Sequence, residues 1–246
     1  MRQNWKTVLC FLVVLSLTAL LGIGGQKKDQ KTKDEEPDIS QFPTVEYLNQ
    51  RVKTDKQKAR SKKYNSKAPP ITEDTDKIFV ASDWDLRLPA LPVKISSAVI
   101  IGEVTDAQAY LSDDQTEIYS EFTVQIQQVL KNDNKAPLDV GNSVVVERLG
   151  GRVKFPSGKI VIASTNHQDL PRSGKRYVFF LTHEGPEAKP YEDFHILTGY
   201  ELRDGQVFPL DKPGPDHPIT AYKGASETSL LNELAVALAD TLSQSK

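Results

Sequence analysis

The residues best suited to acid–base, metal or nucleophilic chemistry in this chain are four histidines, a scatter of carboxylates and one cysteine, Cys10. His167, His183, His195 and His217 show neither HxH nor HxxxH spacing, the arrangements that set two imidazoles on one face to share a zinc ion. Asp193-Phe-His195 puts a carboxylate and an imidazole on the same side of a strand, which is part of a hydrolase triad. No GxSxG elbow accompanies that pair, so His195 reads as an ordinary strand residue. Acidic clusters stand at Glu73-Asp74-Thr75-Asp76, Asp83-Trp84-Asp85, Asp113-Asp114 and Glu192-Asp193. None has the glycine and terminal glutamate of a calcium loop, and all read as solvated turns. Phosphate-loop and dinucleotide fingerprints are missing too: Gly22-Ile-Gly24 belongs to an apolar leader, and Gly150-Gly151 to a hairpin. With a single cysteine, neither a disulfide framework nor a cysteine-only metal site can form. No catalytic, cofactor-binding or metal-ligating residue is assigned on these grounds, and no cofactor is expected.

The elements that would position such residues begin with a leader. Arg2 and Lys6 head a run from Thr7 to Gly24 that carries no charge, and small residues Gly22, Gly24 and Gly25 close it. This is the layout of a secretory signal, with cleavage after Gly24 or Gly25. The rival is an uncleaved anchor, although the 18 residues span only about 27 Å of helix, slightly short of a hydrocarbon core. A lipoprotein signal does not fit, because Cys10 lies early in the run. Residues 1–25 are therefore expected to be a signal peptide or membrane anchor, and the chain to work outside the cytoplasm.

Charge divides the rest. Residues 26–67 carry 12 basic and 7 acidic side chains, whereas residues 68–246 carry 17 basic and 26 acidic. An acidic body argues against nucleic acid as its partner, since that affinity rests on neutralising phosphates. Apolar residues are sparse between Gln26 and Pro70, so residues 26–70 are predicted to be a disordered basic linker, with a transient helix over 45–63. The Arg51–Lys67 basic cluster reads either as a solvated spacer or as a contact to an anionic surface.

Residues 71–246 are predicted to form one mainly β domain, a small antiparallel barrel closed by a C-terminal helix. Strands are expected at Ser97–Leu111 and Ile118–Leu130 around an Asp113-Asp114 turn, then at Ser143–Leu149 and Ile160–Ile162. The second alternates: Ile118, Phe122, Val124, Ile126 and Leu130 point one way, while Tyr119, Glu121, Thr123, Gln125 and Gln127 form a wet face. Lys175–Thr182 is apolar on both sides and should be the most buried strand. Asp204-Gly205 between Ile196–Arg203 and Gln206–Leu210 signals a type I′ hairpin. Leu230, Leu234, Leu238 and Leu242 make a helical stripe over about 226–242, with Ser226 as N-cap. Tyr110, Tyr119 and Tyr200 read equally well as outward stacking residues or as cover for the core.

Ala98-Val-Ile-Ile-Gly102-Glu-Val104, Phe122-Thr-Val-Gln-Ile126, Val129-Leu130-Lys131, Gly141 before Val144-Val145-Val146, and Gly174-Lys-Arg-Tyr177-Val-Phe-Phe-Leu181 resemble, in that order, the netrin and metalloproteinase-inhibitor module. The resemblance covers roughly residues 97–181 and implies an OB-type five-stranded barrel with a glycine where the first strand bends. Inhibitors of that family set an N-terminal cysteine on the catalytic zinc, and a body without cysteine cannot do so. The segment Lys77–Lys94, with Trp84, is expected to pack against the barrel. The body is also similar to uncharacterised exported bacterial proteins.

The function expected on these grounds is an exported, envelope-associated binding or interaction module. Its partner would be a protein or envelope component, with membrane contact through residues 1–25 and the basic tail. The alternatives are a protease-inhibitor-like regulatory domain and an exported hydrolase built on His195 and Asp193.

Overall fold

The computed structural model describes residues 38–48, 53–76, 78–80, 88–184 and 193–244. Residues 1–25, expected to be a signal peptide or membrane anchor, lie outside them. Among the described residues no helix is long and apolar enough to cross a membrane.

The chain is mainly β. Among the described residues ten strands run in the order β1 (Thr44–Glu46), β2 (Ile78–Val80), β3 (Ala98–Leu111), β4 (Ile118–Lys131), β5 (Ser143–Leu149), β6 (Gly151–Lys154), β7 (Ile160–Thr165), β8 (Arg176–Glu184), β9 (Asp193–Arg203) and β10 (Gln206–Pro209). Helix α1 (Asp55–Lys63) precedes β2, and α2 (Glu227–Gln244) closes the chain.

Five of the strands are hydrogen-bonded in a ring: β3 to β4, β4 to β5, β5 to β9, β9 to β8, and β8 back to β3, with β10 appended to β9. Alternation fills the ring. Ile100, Val104, Phe122, Val124, Val146, Phe179 and Ile196 turn inward and pack together. Gly102 sits where β3 changes register against β4, and a Cβ there would lie 2.5 Å from Val124 Cγ1 and 2.8 Å from the Gln125 carbonyl oxygen. The bend therefore needs the missing side chain. Asp204 (φ 53°) and Gly205 (φ 73°) both take the left-handed conformation of the type I′ turn their sequence predicts.

The expectation of a wholly antiparallel sheet needs correcting. β5 and β9 run parallel, as do β1 and β6, and β2 and β7. The last two pairs belong to a second sheet, β1-β6-β7-β2, which the sequence reading did not foresee. Strands of three and four residues are too short for alternation to reveal them.

The outer side of the ring is covered twice. Leu230 and Leu234 of α2 are fully buried against Val178, Phe180, Tyr200 and Val207, and Leu238 is packed beside them. Ser226 Oγ caps this helix by accepting from the Ser229 amide at 3.1 Å. The Leu242 side chain falls outside the described residues. Leu88 and Val93, from the segment expected to pack on the barrel, are both buried, and Val93 is in the same cluster as Leu230.

The second cover comes from the stretch predicted to be a disordered linker. Its described residues are part of the fold: Phe42 enters the ring core, Val45 of β1 packs under the small sheet, and α1 lies on the outer face of β4 and β5. Low apolar content conceals this packing, because α1 is held by charge rather than by a hydrophobic stripe. A capping box between Thr54 and Gln57 starts the helix, and Arg60, Lys62 and Lys63 end it.

Candidate functional site

Register brings three polar side chains into a row on the outside of the ring. Glu121 of β4 stands opposite Glu147 of β5, and Glu147 stands opposite His195 of β9. Two carboxylates directly across a ladder repel each other, and these are buried besides, at 7% and 1% exposure. Helix α1 resolves the conflict. Arg60 lies 3.2 Å from Glu121 and Lys63 lies 2.6 Å from Glu147. His195 Nε2 approaches the same Glu147 oxygen at 3.0 Å and touches the Lys63 ammonium.

The two acids respond oppositely. For Glu147, burial raises the carboxyl, but the His195 hydrogen bond and the charges of His195 and Lys63 outweigh it and bring the group down to about 2. For Glu121, burial wins over Arg60 and Gln57, and its carboxyl stays above the usual value. The difference follows from the number of cationic partners.

Beside the carboxylates, Tyr64, Tyr119 and Tyr110 stack in series, with ring centroids 4.5 and 5.5 Å apart. Gln57 Nε2 donates to the Tyr110 hydroxyl at 2.7 Å. Tyr110, Tyr119 and Tyr200 all point out of the ring, yet none is free to stack on a ligand. The first two lie under α1, and Tyr200 lies under the 218–222 turn, donating to the Ala90 carbonyl at 2.6 Å.

Between α1 and the loop joining β4 to β5, a groove of about 430 Å³ opens to solvent. Lys56, Gln57 and Arg60 form one wall, and Ala136, Pro137 and Leu138 form the other. Ser143, Val144 and Val145 of β5 make the floor, with Glu121 and Phe194 at its sides. The loop wall is preformed. Asn132 bonds Leu138 in both directions (2.9 and 2.8 Å), and Asp133 Oδ1 accepts from the Lys135 and Ala136 amides at 2.6 and 3.0 Å.

A buried ion pair elsewhere has a structural role. Arg148 meets Asp211 through two bonds of 2.7 and 3.0 Å, and also donates to the Asp169 and Leu197 carbonyls. Thr198 adds a third bond to Asp211 at 2.7 Å. This pin ties β5, β9 and the segment after β10 together.

The histidines are dispersed. His167 is exposed, His183 packs on Phe194 and lies 3.7 Å from Asp133, and His217 caps the 218–222 turn through the Ile219 amide. Of the triad-like pair, His195 is engaged with Glu147, and the Asp193 side chain lies outside the described residues. Among the described residues no group of three or more His, Cys, Asp or Glu side chains is placed to hold a metal ion. The acidic cluster at Asp114 is a turn, its carboxylate accepting from Ser112 and Thr116. Residues 83–85 and Glu192 lie outside the described residues, as does the Asp193 side chain.

Sequence reasoning missed Glu121 and Glu147 as a pair. The available signal was a lone glutamate in each of two strongly β-forming runs, together with an unmatched excess of lysine and arginine over residues 51–67. What fold and site define together is a β-rich domain with a hydrogen-bonded ring of strands and a walled surface groove. No family model matches the chain, and no curated protein matches it closely enough to count as a relative.

Proposed function

We propose that this chain is an exported, envelope-associated binding module whose ligand enters the groove between α1 and the β4–β5 loop. One observation carries the reading: the groove is open, of ligand size, and built from a rigid loop, a strand and a helix, with apolar and charged walls side by side. The five-stranded hydrogen-bonded ring supports an OB-type barrel, a scaffold that commonly binds on its outer strands. Export is supported by the basic head and uncharged run of residues 1–24.

A photo-crosslinking residue at Ser143, in the groove floor, tests the reading in cells against the same residue at Ile160, which is exposed elsewhere. The reading expects discrete adducts from Ser143 alone, in the fraction outside the cytoplasm. Equal labelling from both positions, or a chain confined to cytosol, refutes it.

A further inference from the structure

We propose that the groove takes an extended acidic peptide, which adds as a strand to the edge of β5 at Ser143–Val145. The inference rests on the groove being the binding site, and it names the class of ligand.

The edge is the first argument. β4 pairs with β5 along its full length, Ser143–Leu149, whereas β9 meets β5 only at Val146 and Glu147. Among the described residues, Ser143–Val145 thus has a strand on one side only. Ile126 donates to the Asn142 carbonyl and accepts from the Gly141 amide, both at 2.9 Å, which sets the phase of the ladder. In that phase Val144 turns its backbone groups to β4, and Ser143 and Val145 turn theirs toward the groove. Three residues offer about 10 Å of edge.

Backbone groups presented in that rhythm are matched by another backbone, which is why an extended chain suits them better than a compact small molecule. The walls choose what kind of chain. An open edge ordinarily invites sheet-to-sheet pairing, but here α1 and the Ala136–Leu138 loop flank it and admit only a single strand. Side chains on one side of that strand would meet Pro137, Leu138 and Phe194, an apolar surface. Those on the other side would face α1, where Arg60 is balanced by Glu121 while Lys56 has no acidic partner among the described residues. The surplus charge at the rim is positive, and the complementary ligand carries a carboxylate.

A displayed library of random decapeptides, selected on the full chain in neutral detergent micelles, provides the probe. Winning sequences are expected to alternate apolar with polar residues and to be enriched in Asp and Glu. On binding, the Ser143 and Val145 amides should shift in the NMR spectrum and exchange about tenfold more slowly, while synthetic winners N-methylated on alternate amides should bind about tenfold more weakly. Lys56→Glu, an exposed change, should reverse the preference for acidic residues. Winners that perturb groove residues yet tolerate N-methylation on every amide overturn strand addition and leave the groove as a binding site. A selection without binders, or winners that leave Ser143, Val145 and Leu138 unmoved, overturns both.

Discussion

Replacing Glu147 by glutamine probes the charge row under α1 most directly. Its carboxyl falls from the usual 4.5 to about 2 in the folded chain, through His195 and Lys63 and against the pull of burial. At about 1.4 kcal/mol per pH unit, this depression is worth about 3 kcal/mol of folding stability at neutral pH. The side chain is only 1% exposed, so solvent screening removes little of it. The sign follows from which state holds the proton more tightly. The unfolded carboxyl does, so the contribution is complete above pH 5 and drains away as pH falls toward 2. Glu121 acts in the opposite sense, since its raised value means that protonation relieves a cost, and stability rises as pH falls through it. Comparing wild type with Glu147→Gln isolates the first effect. Urea unfolding followed by far-ultraviolet circular dichroism should show a gap of about 3 kcal/mol at pH 7 that shrinks to about half by pH 3. A gap constant over that range, or one that widens on acidification, would refute the assignment of Glu147 as the ionised partner of Lys63 and His195.

Four further substitutions test the framework. Gly102→Ala forces a methyl against Val124 and the Gln125 carbonyl, and should cost about 1–3 kcal/mol, read as a lowered melting temperature. Asp211→Ala strands the buried Arg148 guanidinium and should cost about 3–5 kcal/mol in urea unfolding. Leu234→Ala, at a fully buried position of α2, should cost about 2–5 kcal/mol. Val236→Ala, at 62% exposure on the same helix, should leave the unfolding midpoint nearly unchanged.

The sheet was legible wherever period and punctuation agreed. Residues 98–111 are a long β-rich run, residues 118–131 alternate, a clear turn separates them, and Asp204-Gly205 can hardly be anything but a hairpin. The stripe of α2 was readable for the same reason. Glu121 shows where the reading stopped. Alternation correctly put Tyr119 and Glu121 on the outer face, but it could not say that a distant segment would cover them. Nor could composition reveal α1 as packed: the helix has no apolar stripe, and its attachment depends on Arg60 and Lys63 meeting partners 61 and 84 residues further on. The groove was invisible for a related reason, since it lies between elements distant in sequence.

The N-terminal cover also dictates an order of assembly. Among the described residues β1 pairs as a strand with β6 alone, so Val45 has no strand partner until Val153 has been made. Arg60 and Lys63 likewise wait for their glutamates. The first part of the domain to be synthesised is thus among the last to settle, staying extended and cationic while the ring forms behind it. Closure of the small sheet then works as a late fastening step, and slow docking of residues 44–63 would be its kinetic signature.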